Sequence, residues 1–398
     1  MGDLFLQVKV ANAAIVVSSP TDSLRTEVGS TAMTQGLARY TASGTLVWGR
    51  DLLQVLQTST QEAVIPETIT PFVLDAKGDV GVAYQKQDPP PTGPVPGTSR
   101  FRFAKINGNN ANRTWEASYE LNANAALVVA RPAKNDFVSF GPILDTQTVW
   151  QIADQGTTGV LTLLGRTYNS GAFVGDDGST LWLSCSGSNT LGKFQLNPWS
   201  AQAWEITGNP LGTRADAYII GAADDGSSIG PWFTKGDFGP AMIVGPSTSG
   251  DLMVAAQSSG YTTFSGGQDF IPDASGGSVL ARIDQASGEI KWRKPIAALP
   301  ASIIAAPGNH IVLMSQKIDT STQSPTPDAP YQIDVYAESD GTLLSSMSAG
   351  MMAQYVATGQ TDLFILGTVN AATDFDPGQA TDSHGSTPGV YISRFSFE

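Results

Sequence analysis

Cysteine is nearly absent from this chain of 398 residues: Cys185 stands alone. One thiol forms no internal disulfide, so the fold is not held by a disulfide framework. Its setting, Leu-Trp-Leu-Ser-Cys, reads as a strand, where cysteine acts as a small hydrophobe. Histidine is almost as scarce, with only His310 and His384. Both fall in turn-like stretches, and two such residues in separate segments do not make a zinc or non-haem iron site. Basic residues number 22 against 36 acidic ones, for a formal net charge of -14. An acidic surface without a Lys/Arg cluster repels phosphate backbones, which argues against nucleic acid as a partner. No uninterrupted apolar run approaches membrane-spanning length, so membrane insertion is not expected. The first residues, Met-Gly-Asp, lack the basic and apolar regions of a signal peptide.

Recognisable catalytic signatures are also missing. The chain holds no phosphate-cradling Gly-x-x-x-x-Gly-Lys-Ser/Thr loop and no Gly-x-Gly-x-x-Gly opening a helix. Any catalytic triad would have to recruit one of the two histidines. Paired carboxylates could do glycosidase chemistry only at a fixed separation in a cleft. No catalytic residue is assigned.

What the chain has in quantity is Gly and Pro, 42 and 24 residues, with Ser, Thr, Asn and Gln in place of charge. These are turn residues, and they punctuate a repeated pattern. Two β-rich segments flank a Gly/Asn/Asp turn at Phe72 to Tyr84, Leu127 to Gly141, Phe173 to Ser184, Ile243 to Ala255, Ile303 to Met314 and Tyr355 to Gly367. The segment Ala11 to Ser18 reads as a further copy without its turn. Taking Asp79, Asp136, Thr180, Asp251, His310 and Asp362 as equivalent, the spacings are 57, 44, 71, 59 and 52 residues. A second pattern falls between the hairpins: an alternating strand, a turn, and a short strand that often ends in Trp. It occurs at Leu37 to Trp48, Phe101 to Trp115, Lys193 to Trp204 and Leu280 to Trp292, and more weakly at Gln332 to Leu344.

Together the two patterns give about four strands per unit, the number in a propeller blade. One such unit cannot bury its own faces, so the units must stack. The expectation is therefore an all-β chain: a single β-propeller domain over residues 1–398, with seven four-stranded blades and eight as the alternative count. The alternating strand Leu4 to Val10 is expected to close the ring by pairing with the C-terminal blade, removing exposed edges. Loop insertions are expected near 88–98, 208–240, 256–278 and 316–331. The first is a proline-dense run that favours polyproline II. The stretch Leu-Leu-Gln-Val-Leu-Gln-Thr from Leu52 is too short to be assigned as a helix. Trp150, Trp182, Trp199 and Trp204 are expected mainly to pack between sheets.

Loops on a rigid scaffold are where binding concentrates. On that ground Trp199, Trp232, Tyr261 and Phe264 are the candidate ligand-contacting residues, with a protein or a carbohydrate as the partner. Acidic pairs such as Asp75 with Asp79, Asp176 with Asp177, and Asp224 with Asp225 fit turn chemistry, because Asp caps its own backbone. The same oxygen donors suit calcium. Asp374 and Asp376, in Asp-Phe-Asp-Pro-Gly, are the candidate ligands of a structural calcium ion, and no other cofactor is indicated.

The segment from Tyr355 to Phe395 resembles a unit of a bacterial β-propeller repeat family found in exported proteins of myxobacteria and related groups. The likeness is carried by the Asp374 to Gly378 turn, loosely by Ser383 to Arg394, and by Gly-x-x-x-Trp at Gly44 to Trp48 and Gly288 to Trp292. The Gly-x-x-x-Trp element is also similar to that of quinone-dependent dehydrogenase propellers; their cofactor-contacting residues have no counterparts here, so that likeness bears on fold. The resemblance implies a secreted or cell-surface module without defined catalytic residues, its leader lying outside this chain. The expected function is non-catalytic binding or structural support. The alternatives are a carbohydrate-active or other propeller enzyme, and a subunit of a larger extracellular assembly.

Overall fold

The computed structural model describes residues 3–11, 15–19, 22–28, 33–41, 43–57, 63–87, 99–119, 127–131, 134–143, 146–167, 169–174, 180–187, 193–196, 204–207, 216–222, 228–264, 268–270, 278–296, 298–319, 324–325, 331–348, 352–358, 362–369, 373–374, 383–384 and 389–396. Nearly all of them are in antiparallel strands, grouped in two compact units. One unit spans Met1–Thr167 with Gln195–Trp204, and the other Tyr168–Phe194 with Glu205–Glu398.

Among the described residues the first unit contains three main sheets and one small two-stranded hairpin. The first sheet runs in the order Leu4–Ala11, Met33–Tyr40, Leu46–Asp51. The second is built on Val80–Gln87, Ser99–Ile106 and Arg113–Ser118, with the short strands Val73–Leu74 and Ala63–Ile65 both paired to Val80–Gln87. The third is the meander Leu127–Arg131, Asp136–Ile143, Thr146–Asp154, Gly159–Thr167. Sequential antiparallel strands of this kind form the blade of a β-propeller.

The strand Leu4–Ala11 pairs along its whole length with Met33–Tyr40, from Leu4 opposite Tyr40 to Ala11 opposite Met33. Among the described residues it is thus the edge of the first sheet, whereas the sequence reading paired it with the C-terminal blade. Its alternation, Phe5 against Trp48 at 6.0 Å and Phe72 at 6.4 Å, finds apolar partners nearby. The segment read as a turnless hairpin is also different: Ile15–Ser19 pairs with Asp22–Val28 in a small hairpin of its own. Leu52–Leu56 is a single helical turn. Asp51 caps it by accepting from the Leu53 amide at 2.9 Å, and Leu52 and Leu56 are buried one turn apart. The cap supplies the start signal that β-branched flanks obscure.

In the second unit, one long sheet carries two consecutive meanders. Asn169–Val174, Leu181–Gly187, Asp216–Ala222 and Ser228–Pro246 come first, followed by Leu252–Phe264, Ser278–Ile283 and Ile290–Ile296. The 19-residue strand Ser228–Pro246 serves both, and its pairing with Leu252–Phe264 shifts register between Gly236 and Met242. Residues 228–246, 252–264 and 268–270 are therefore strands, which overlap the loop insertions that the sequence reading placed at 208–240 and 256–278. Ser, Thr and Gly there satisfied the compositional signature of a loop, but the ladder overrides composition. Next comes the sheet Ala298–Ala306, His310–Asp319, Tyr331–Ala337, Leu343–Ser348. The C-terminal sheet is Met352–Thr358, Asp362–Val369, Gly389–Ser396. The insertion expected at 316–331 is in part strand, through Asp319 and at Ser324–Pro325. The one at 88–98 lies outside the described residues.

All six hairpins expected from the repeat are present as paired strands. The first of their turns is made as the composition implies. Asp75 accepts from the amides of Lys77 at 2.8 Å and Asp79 at 2.9 Å, and Gly78 takes a φ of 79°. Trp150 and Trp182 are among the largest fully buried side chains. Each unit has apolar clusters between sheets, such as Phe103, Trp115, Phe137, Trp150 and Ile152 in the first unit.

Candidate functional site

The most organised polar chemistry lies in a set of nodes that repeat along the chain. Each starts from a cation on the strand that follows the hairpin. In the first sheet, Arg39 Nε donates to Asp3 Oδ2 at 2.7 Å, and Nη1 donates to the Gly108 carbonyl at 2.8 Å. Trp48, directly opposite Arg39 in the ladder, donates its Nε1–H to the same carbonyl at 3.0 Å. Gly108 belongs to the turn of the second sheet, so a cation and an indole together grip the neighbouring sheet. The Gly108 turn is itself packed against the hairpin of its own sheet: a Cβ on Gly108 would lie 1.9 Å from the Gly78 carbonyl oxygen.

The second sheet repeats the arrangement in ionic form. Lys105 Nζ lies 2.7 Å from Asp75, 3.1 Å from Asp79 and 2.6 Å from Asp154, and the lysine is 3% exposed. Asp75 and Asp79 belong to its own hairpin, and Asp154 to the third sheet. Trp115, opposite Lys105, donates to Asp154 Oδ1 at 3.0 Å. Burial works to lower the Lys105 pKa, but the surrounding carboxylates outweigh it and hold the ammonium charged. Burial likewise works to raise Asp154, yet its bonds from Lys105, the Gly156 amide and Trp115 keep it below the ordinary carboxylate range.

The third example lies in the second unit. Arg282 Nε donates to Asp251 Oδ2 at 2.5 Å and Nη1 to the Glu338 carbonyl at 2.9 Å. Trp292, opposite Arg282, donates to that carbonyl at 2.8 Å. The Glu338 side chain accepts from the Thr248 amide at 2.8 Å and from the hydroxyls of Thr248 and Ser249. Burial pushes Glu338 up, but these donors and Arg282 pull it below its usual range. In the C-terminal sheet the half of the node inside the sheet recurs, with Arg394 Nη2 3.0 Å from Asp362 Oδ2.

A second buried group sits on the second sheet. Glu116 accepts from Lys86 Nζ at 3.0 Å, from the Tyr84 hydroxyl and from Arg113. Burial raises the Glu116 pKa, and these donors more than reverse it. Tyr84 is shifted up, by burial first and then by the Glu116 charge, so its phenol keeps its proton. An acid held ionised by several donors is a poor general acid, and a phenol shifted upward a poor base. What these nodes do well is hold one sheet to the next.

The sequence-predicted site residues fall elsewhere. Trp232 lies on Ser228–Pro246, opposite Ile219. Phe264 ends the neighbouring strand opposite Thr234, two positions from Trp232, and Tyr261 precedes it on that strand. The backbone thus brings these three candidates to adjoining strands at one end of the long hairpin. Trp199 lies outside the described residues. Asp374 pairs with Ser383 in a short two-stranded ribbon, and Asp376 lies outside the described residues. Among the described residues no group of three His, Cys, Asp or Glu is arranged to hold a metal ion, and no helix is long and apolar enough to cross a membrane.

Sequence reasoning found the Trp of each node and the hairpin acid, but missed the cation. Its signal was present in the copies Leu-Ala-Arg39-Tyr, Phe-Ala-Lys105-Ile, Leu-Ala-Arg282-Ile and Ile-Ser-Arg394-Phe.

No family model and no curated protein matches the sequence. Solved structures similar to it include BamB from Moraxella catarrhalis, at 9% identity over 90% of this chain and 96% of that one, with a TM-score of 0.45. The β-propeller domain of Cps50 (Swd1) from Myceliophteria thermophila has 9% identity over 99% of each chain and a TM-score of 0.46. The β-propeller domain of the Trilobed protease from Pyrococcus furiosus has 9% identity over 85% of this chain and 84% of that one, with a TM-score of 0.44.

Proposed function

We propose that this chain is a non-catalytic binding or structural β-propeller module of an exported or cell-surface bacterial protein, related to the Gly/Asp-rich repeat propellers of myxobacterial type. The observation that carries the reading is the employment of the buried charge. Lys105, Arg282, Asp154, Glu116 and Glu338 are engaged in joining strands and sheets, and the three acids are held ionised. The fold is built as a scaffold, and recognition falls to its periphery. Trp232, Tyr261 and Phe264 on the long hairpin, with Trp199, are the proposed contact residues for a protein or carbohydrate ligand. Aromatic faces on adjoining strands suit sugar or side-chain stacking.

The test is a glycan array followed by calorimetry on the purified chain and on Trp232→Ala, Tyr261→Ala and Phe264→Ala. Binding of a saccharide that the variants lose, with unchanged thermal unfolding, supports the reading. Turnover of any arrayed glycan would replace it with the carbohydrate-active enzyme reading. Asp374 and Asp376 are proposed to bind a structural calcium ion, and a rise in Tm with calcium that Asp376→Asn abolishes is the expected result. An identical Tm in calcium and in chelator removes that assignment.

A further inference from the structure

The strands at the outer ends of the sheets differ in one respect that bears on association. Leu46–Asp51 carries Arg50 and Asp51, and Arg113–Ser118 carries Arg113 and Glu116. Ile290–Ile296 carries Lys291, Arg293 and Lys294 with Pro295. Charges and proline on an edge strand are the ordinary protection against pairing with another chain. Leu343–Ser348, with the sequence Leu-Leu-Ser-Ser-Met-Ser, has neither. It ends the order of its sheet, and among the described residues no strand pairs with its outer side. Leu343 and Leu344 are 51% and 52% exposed, the highest values among the exposed large apolar residues described.

The register shows what replaced the protection. Val335 stands opposite Ser345 where the preceding sheet has Arg282 opposite Trp292. The node of cation and indole is therefore absent at this position, and the neighbouring Leu344 takes the place of Lys291. Exposed leucines and an open backbone ladder remain.

We propose that Leu343–Ser348 is a self-association edge, and that its occupant is the same strand of a second copy, paired antiparallel about a two-fold axis. Charge selects this occupant. A copy of net charge -14 repels another over most of its surface. A strand without charge lets two copies approach, and in a homotypic pair like meets like, so a charged edge such as Ile290–Ile296 would set cation against cation. An axis at Ser345 sets that small side chain opposite its own copy, with Leu344 opposite Ser346 and Leu343 opposite Met347 of the second copy. Closed two-fold pairing consumes the edge on both chains and stops there. So short a contact lies below the area of a stable interface, and the equilibrium it sets is weak and concentration-dependent.

Sedimentation velocity of the full chain over a concentration series tests this, alongside Leu344→Lys and Ser346→Lys. Both positions are exposed, and circular dichroism confirms that each variant is folded. The expected result is a monomer–dimer equilibrium in the parent that either substitution shifts at least tenfold toward monomer. Ser345→Cys in a Cys185→Ser background should oxidise to a covalent dimer, whereas Val47→Cys in that background should not. A parent that stays monomeric through the series, a dimer that both lysine variants retain, or equal cross-linking at positions 345 and 47 would each overturn the proposal.

Discussion

Trp115 and Lys105 show how much one residue carries in this fold. Trp115→Phe keeps a ring beside Phe103, 5.7 Å away, and removes only the bond to Asp154. A hydrogen bond to a charged acceptor contributes about 1.5–3 kcal/mol, so a loss of that order is expected in urea unfolding. Lys105→Met is more severe. It leaves Asp75, Asp79 and Asp154 facing one another without their cation. Removing one partner of a buried ion pair costs about 3–5 kcal/mol. The defect should shrink on acidification, because Asp154, no longer held down by its bond from Lys105, takes up a proton more readily. A defect of equal size at pH 7 and near pH 4 would show that Lys105 acts through packing rather than charge.

Among the strands and turns, close approach decides tolerance. A Cβ on Gly159 would lie 2.3 Å from the Trp115 ring, inside any van der Waals contact. Gly159→Ala should therefore push the indole off Asp154 and destabilise by about 1–3 kcal/mol, with a change in near-UV dichroism. Unaltered stability would mean that the third sheet yields at that edge. The hairpins were legible at this level because Asp and Gly fix a turn locally: Asp75 to Asp79 can be read as a turn before any contact is known. The stretches 228–240 and 256–264 were not legible, because their Ser, Thr and Gly say loop while pairing with neighbouring strands makes them sheet. The cation of each node was hidden for a related reason. Arg39, Lys105 and Arg282 look like ordinary strand residues until their acceptors, far along the chain, are known.

Across the molecule, the nodes give stability a pH profile. Glu116, Asp154 and Glu338 have folded pKa values below the ordinary range. Their contribution is complete above the unfolded carboxylate pKa, near 4, and is lost as pH falls through the lowered folded values. Asp136 works in the other direction. Burial raises its pKa, with Gln151 and Arg131 only partly offsetting this, so protonating it regains stability as pH falls. Asp284 and Asp340 are also lowered and Asp51 also raised. Among the described residues five carboxyls thus stand against two, and urea midpoints should be flat near neutrality and decline below about pH 4. Asp136→Asn should steepen that acid decline. A midpoint that rises on acidification would contradict the balance.

The direction of the nodes has a consequence for how such a chain can be cut and rejoined. Arg39 and Trp48 reach forward to Gly108, Lys105 and Trp115 to Asp154, and Arg282 and Trp292 to Glu338. A sheet lifted out whole would leave its predecessor's donors with nothing to hold and carry its own donors to a place without an acceptor. Recombination that exchanges a segment from a node's cation to its acceptor, such as from Lys105 to Asp154, keeps both donors with the grip they were built for, and the Gly108 carbonyl it replaces is backbone that an incoming turn also supplies. The cassette of inheritance in this chain is thus staggered against the unit of architecture.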